Sequence, residues 1–261
     1  MIIVLACTLG AVMGITLGLF GAGGSILAVP IFVYSLGIEA KAAIAMSLLV
    51  VGVTAAIGAW SHARVGRVRL GVALIFAPIA MCGTYLGARM SQYMSGQTQL
   101  LLFAAVMLLA AYFMGPGARL EHGPAAGKLV EADPRAGFTT PAVLLLGLEG
   151  LAVGVLTGLV GVGGGFLIVP ALVLLAGIEM HEAIGTSLLI IALKSAAGFA
   201  GYLDQVSVDW VVVILFTIAS AIGILVGARL SRRLQGETLR TGFSGLLVVM
   251  ALLILYMEGL R

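Results

Sequence analysis

Apolar runs of about 20 residues follow one another along this chain with only short polar interruptions, and each is long enough to cross roughly 30 Å of hydrocarbon as a helix. Hydrocarbon offers backbone N–H and C=O groups no water, so only helices or closed barrels can span it. The runs are continuously apolar rather than alternating, which selects helices. The expected class is therefore an all-α polytopic membrane protein. Composition agrees, with 61% hydrophobic and 10% charged residues and a mean hydropathy of +1.20. The net charge of +3 does not point to nucleic acid, because the positive residues sit in short loops between apolar runs, where membrane topology places them. Small residues let membrane helices approach closely, which accounts for the 37 glycines. Cys7 and Cys82 lie in apolar sequence without metal or redox spacing and read as small packing residues. The opening MIIVLACTLG lacks a basic leader and is expected to be a spanning element rather than a cleaved signal.

The chain is one repeat written twice. The segment GITLGLFGAGGSILAVPIFVYSLGIEAKAAIAMSLL from Gly14 aligns with GVLTGLVGVGGGFLIVPALVLLAGIEMHEAIGTSLL from Gly154 at a constant offset of 140, with about half the positions identical. The same offset pairs Gly83 with Gly223, Gly87 with Gly227, Arg89 with Arg229 and Ser91 with Ser231. Repeat 1 is expected over 1–114, a polar linker with Pro116, Pro124 and Pro134 over 115–140, and repeat 2 over 141–261. The first repeat reads as a broken segment (1–20, then 24–36) followed by runs at 42–60, 70–93 and 98–115. The second reads as 140–160, 164–177, 182–202, 208–230 and 239–257.

Loop charge addresses how the copies face each other. His62, Arg64, Arg67 and Arg69 follow the 42–60 run, whereas the matching loop of the second copy carries Asp204 and Asp209. One loop further on the bias reverses: Arg89 stands alone, against Arg229, Arg232, Arg233 and Arg240. Under the positive-inside rule, matching loops then lie on opposite sides, which calls for two inverted-topology repeats. An odd number of crossings per repeat achieves this if each broken segment is a glycine-broken hairpin ahead of three transmembrane helices, whether that hairpin is re-entrant or fully crossing.

The sharpest local feature is the glycine cluster. Gly21, Gly23, Gly24 and Ser25 recur as Gly161, Gly163, Gly164 and Gly165, each cluster followed by a proline, Pro30 or Pro170. Broken backbone at membrane depth must be buried or line a cavity, and the freed amides of the next half-helix suit an anion. Tight helix packing is the competing reading. Lys194 stands inside LLIIALKSAAGFAG, where a charge costs roughly 2.5–3.5 kcal/mol or more, with no acidic residue within a helical turn. Its counterpart is Thr54, so the repeat symmetry breaks there, and the alternative is a lysine that snorkels to the interface. Ser47, Thr186, Ser187 and Ser195 are candidate hydroxyl donors to the same anion, with helix packing as their other use. Glu39 and Glu179 are expected to cap helices or face solvent, with gating as the alternative, and His62 and His181 to be exposed at run ends, with a proton relay as theirs. Trp60, Trp210 and Tyr202 fit interfacial anchors, while Arg89 and Arg229 mark interface depth, with an anion-attracting vestibule as their other reading. No metal, no cofactor and no enzyme signature is expected, since HExxH, GxSxG, a phosphate loop and paired carboxylates are all missing from the sequence.

The repeated G-x-x-x-G-x-x-G-x-G-G block ending in VP, with the paired GIE and MSLL or TSLL segments, resembles the sulfite exporter TauE/SafE family of membrane permeases. The likeness covers nearly the whole chain. It implies a bacterial inner-membrane exporter of a small sulfur-containing anion such as sulfite or an organosulfonate, with the glycine breaks and nearby hydroxyls as substrate region. A secondary transporter working by alternating access is the leading expectation. An anion channel and a membrane-embedded assembly or signalling subunit are the alternatives. A small anion and the bilayer are the partners so implied; a coupled proton or sodium ion and a homodimer are further ones that such a carrier admits.

Overall fold

The computed structural model describes residues 2–115, 140–160, 165–202, 206 and 208–259, and every regular element among them is helical. The first repeat contains α1 (Ile2–Phe20), α2 (Gly23–Pro30), α3 (Ala40–Ala63), α4 (Leu70–Met90) and α5 (Gly96–Met114). The second contains α6 (Thr140–Val160), α7 (Gly165–Pro170), α8 (Met180–Tyr202), α9 (Trp210–Ser231) and α10 (Gly236–Gly259). Six helices, α3, α4 and α5 with α8, α9 and α10, are long and apolar enough to cross a membrane; α1, α2, α6 and α7 supply shorter apolar stretches.

The broken first segment is a hairpin, and sequence explains its shape. Gly21 takes a left-handed φ of +72°, which lets the chain reverse after α1. α2 then folds back on α1 so closely that a Cβ on Gly24 would lie 2.5 Å from the Met13 carbonyl oxygen. Pro30 and Pro170 each open a π-helical turn, Ile31–Ser35 and Ala171–Leu175, because a proline in a helix has no N–H and crowds the preceding turn. The wider turn shows in Leu36 N–H bonding the Ile31 carbonyl and Ala176 N–H bonding the Ala171 carbonyl, both at 3.1 Å.

Packing between the repeats comes in matched pairs. Gly14 and Gly18 of α1 lie directly on the backbone of α9 at Ser220 and Ile224, and Gly154 and Gly158 of α6 lie on α4 at Ala80 and Thr84. Glycine on the other partner completes the seams: Gly223 and Gly227 meet α1, and Gly83 and Gly87 meet α6. In hydrocarbon there is little hydrophobic drive between helices, so this backbone-to-backbone approach supplies the association. The centre is α3 against α8, running antiparallel: Leu48 lies by Gly198, Gly52 by Ser195 and Gly58 by Leu188. α5 and α10 are antiparallel as well, with Ser244 Oγ donating to the Ala111 carbonyl at 3.0 Å and Arg240 Nε to the Met114 carbonyl at 3.2 Å.

These pairings bring both arginine-rich loops to one end of the bundle. Arg232, after α9, donates from Nη2 to the Ser61 carbonyl near the end of α3 at 2.9 Å. Arg69 pairs with Glu182 on the first turn of α8 at 2.7 Å. The opposite end holds the starts of α3 and α5, where Gly96 meets Ala40.

Three sequence expectations are corrected. Tyr202 is not an interfacial anchor: it is fully buried and donates to the Gly158 carbonyl at 3.0 Å. Its position at the end of an apolar run hid the neighbouring end of α6, which covers it. Neither His62 nor His181 is exposed: His62 is 1% accessible, enclosed by Gly185 of α8 and the Arg67 turn, and His181 is part-buried, with Nε2 3.1 Å from the Leu234 carbonyl oxygen. Cys82 is exposed on α4 rather than packed inside, while Cys7 is half-buried. Trp60 and Trp210 are more than half exposed near helix ends, as interfacial anchors require. Glu39 and Glu179 are exposed, and Glu39 occupies the N-cap position of α3 without a side-chain cap bond.

Candidate functional site

Lys194 is fully buried near the middle of α8. The α3–α8 register brings it and its counterpart Thr54 to the same height at the centre of the crossing. Its ammonium does not snorkel; it donates to Thr157 Oγ1 of α6 at 3.1 Å. Thr157 in turn donates to the Gly154 carbonyl at 3.0 Å and lies 3.4 Å from Thr84 Oγ1 of α4. Lys194 thus sits where α4, α6 and α8 converge. Among the described residues no carboxylate pairs with it, and two of its three N–H donors have no protein acceptor. Next to it, the buried Ser195 Oγ has no hydrogen-bond partner among the described residues and faces the α3 backbone at Gly52.

The symmetry-related position has none of this polarity. At the 140-residue offset, Lys194, Thr157 and Thr84 correspond to Thr54, Leu17 and Ile224, all fully buried, and the Thr54 hydroxyl is spent on the Val50 carbonyl. The fold tolerates an apolar version of this junction, so the cationic version is a property of one repeat rather than a packing need.

The other predicted residues divide into groups. Gly21 and Ser187 meet, Ser187 Oγ donating to the Gly21 carbonyl at 3.1 Å and so fixing the first hairpin tip on α8. That contact lies seven residues before Lys194, roughly 10 Å along the helix. Ser25 and Gly165 also meet, since a Cβ on Gly165 would fall 3.3 Å from Ser25 Oγ, although Ser25 Oγ itself donates to the Ala22 carbonyl. Gly23 and Gly24 face back onto α1 at Thr16, Leu17 and Met13, so part of their smallness closes the hairpin. Ser47 Oγ donates to the Ile44 carbonyl, and Thr186 Oγ1 accepts from Arg69 N–H at 3.0 Å, which turns it toward the arginine-rich end and away from Lys194. Gly161, Gly163 and Gly164 lie outside the described residues.

Sequence reading missed four participants. Thr157 and Thr84 are ordinary hydroxyls in apolar runs, and only the helix packing brings them to Lys194. Gln99 donates from Nε2 to the Leu159 carbonyl at 2.8 Å and to Tyr202 Oη at 3.2 Å, so that it and Tyr202 hold the last turn of α6. Glu149 of α6 is 9% exposed, and neither of its carboxylate oxygens has a partner among the described residues. A lone acid inside LLLGLEGLAVG carried the same signal as Lys194, and a search for paired carboxylates passes over it.

A bundle of apolar helices with a glycine-broken hairpin and a fully buried lysine fits a polytopic membrane transporter. The family description "Sulfite exporter TauE/SafE" matches residues 6–254, and the chain belongs to that family. It is 32% identical over 233 residues to a "Probable membrane transporter protein" of Xylella fastidiosa (strain Temecula1 / ATCC 700964), covering 87% of this chain and 84% of the relative. It is 25% identical over 251 residues to "Probable membrane transporter protein YdhB" of Bacillus subtilis (strain 168), covering 94% and 96%. "Probable membrane transporter protein MJ0441" of Methanocaldococcus jannaschii is 26% identical over 261 residues, covering 94% and 92%. No solved structure matches the chain.

Proposed function

We propose that this protein is a secondary transporter that exports a small sulfur-containing oxyanion, such as sulfite or an organosulfonate, by alternating access between two inverted repeats. The observation that carries the anion is Lys194: a fully buried lysine amine with a hydroxyl as its protein partner, at the centre of the α3–α8 crossing. A buried cation without a carboxylate is costly, and an anionic substrate held by its free N–H donors and Ser195 offsets that cost. The antiparallel run of counterpart helices, α3 with α8 and α5 with α10, supports inversion about an axis in the membrane plane. The sulfur chemistry is taken from the family description, and the positive-inside rule assigns the arginine-rich end to the cytoplasm of a bacterial-type inner membrane.

The test is anion-dependent thermal stabilisation of the purified protein in detergent, with sulfite, thiosulfate, sulfoacetate, sulfate and chloride compared at equal ionic strength. A ligand at 100 times its Kd adds about 2.7 kcal/mol to native-state stability. A selective shift for a sulfur oxyanion, absent in Lys194→Ala, is the expected result. Equal shifts for all five anions, or a shift that survives Lys194→Ala, overturns the site.

A further inference from the structure

A second cationic feature lies away from Lys194, at the arginine-rich end. A cavity of about 360 Å³ opens between the last turns of α3 and α9, lined by Trp60, Ser61, Arg64, Leu225, Arg229 and Arg232. Its cations are unevenly committed. Arg64 stacks its guanidinium 3.6 Å over the Trp60 ring, so its charge is held in place against an apolar surface. Arg232 uses Nη2 on Ser61, donating to its carbonyl at 2.9 Å and its hydroxyl at 3.1 Å, yet its buried Nε has no partner among the described residues. Arg229 makes no ion pair or hydrogen bond among the described residues. Arg232, with one edge fixed and another unclaimed, and the exposed, uncommitted Arg229 beside it form a ready fork for a phosphate oxygen.

The remaining walls point to the kind of phosphate. Trp60 and Val65 are exposed, Leu225 is half-buried, and Val226 and Leu230 continue an exposed apolar strip along α9. The cavity therefore combines arginines, an interfacial tryptophan and a lipid-facing helix surface. This combination is not forced by the fold. At the 140-residue offset Trp60, Arg64 and Arg232 correspond to Ala200, Asp204 and Gln92, and the one retained arginine, Arg89, is folded onto Tyr85 with Nε 3.4 Å from its hydroxyl.

We propose that this cavity binds a phosphate monoanion or diester between Arg229 and Arg232, and that its source is the headgroup of an anionic membrane lipid whose chain lies along α9. Basic pockets between helices on the cytoplasmic side are suited to such headgroups. The site joins α3 of one repeat to α9 of the other, so an occupied pocket ties the two repeats together at this end.

The probes are phosphatidylglycerol, cardiolipin, phosphatidylcholine and inorganic phosphate, added to the full chain purified in a neutral detergent at matched ionic strength. Melting temperature and native mass spectrometry are the readouts, so the outcome is independent of whether the protein transports an anion. The anionic lipids, and not phosphatidylcholine, are expected to raise the melting temperature and to be retained as a bound adduct. Arg229→Gln should weaken that effect at least tenfold in lipid concentration; because Arg229 bonds no other described residue, the variant is expected to fold. Arg233→Gln removes the same charge from an exposed position outside the cavity and should leave the effect intact. Equal loss in Arg233→Gln, or none in Arg229→Gln, overturns the site. An equal shift with inorganic phosphate at the same phosphate concentration overturns the lipid assignment in favour of a free anion.

Discussion

Lys194 is held by a chain of hydroxyls, from its ammonium to Thr157 and on to Thr84, and that chain makes its role separable from its structural cost. Replacing Lys194 by Met keeps the volume and removes the buried charge, so the protein should melt at the same temperature or higher while anion stabilisation is lost. Thr157→Val in the native background strips a buried ammonium of its protein acceptor and should cost about 1–3 kcal/mol. The same change in a Lys194→Met background should be close to neutral, and a double-mutant cycle read by melting temperature measures the difference. An additive cycle would mean that Thr157 does not support Lys194. The lysine itself was legible in one dimension, because a charge inside an apolar run needs no structure to be noticed. Its partners were not: they lie 37 and 110 residues away in sequence, and hydroxyls are common in membrane helices for packing alone. Tyr202 and His62 failed for a related reason. A run end is an interface only if no neighbouring helix covers it, and coverage is a tertiary fact.

The elements themselves were nearly all present in the sequence, since a hydrocarbon solvent forces each apolar run to satisfy its own backbone as a helix. Helix limits fell within a few residues of the expected runs, and the hairpin followed from glycine and proline at matched places in both copies. What periodicity could not give is which glycine does what. Gly154 of α6 has no room for a side chain, because a Cβ would lie 2.5 Å from the Ala80 carbonyl oxygen of α4. Gly245 of α10 has nothing within 4 Å of the same added atom. Gly154→Ala should therefore push α6 off α4 and lower the melting temperature clearly. Gly245→Ala should leave it unchanged or raise it, since alanine is about 1 kcal/mol the better helix former. Equal effects at the two positions would remove close backbone approach as the basis of the α4–α6 seam. Gly23 is intermediate: a Cβ there already lies 3.0 Å from Thr16, Phe20 and Leu246, so the bulkier Gly23→Leu should abolish transport by spreading the hairpin. Unchanged transport kinetics would show that the hairpin can repack around it.

At the scale of the molecule, two repeats of one sequence pack so that counterpart helices run antiparallel, and charge is what distinguishes their ends. The loop that carries Arg64, Arg67 and Arg69 in the first repeat and the loop that carries Arg229, Arg232 and Arg233 in the second come together through Arg232 and Ser61. Under the inverted topology proposed above, with the bilayer across the six long apolar helices, matching loops of the two repeats face opposite compartments. Glu39 and Glu179 provide the most direct check, because they are counterparts at the 140-residue offset and both are exposed. In a background with Cys7 and Cys82 replaced by alanine, Glu39→Cys should react with an impermeant maleimide from the outside of intact cells. Glu179→Cys should react only after the membrane is opened, since it sits with Glu182 and Arg69 at the arginine-rich end. Labelling of both from the same side would mean parallel repeats, and would remove both the in-plane axis and the alternating access proposed about it. Opposite labelling also fixes the side on which the Arg229–Arg232 cavity opens, because Arg232 and Glu179 lie at the same end of the bundle.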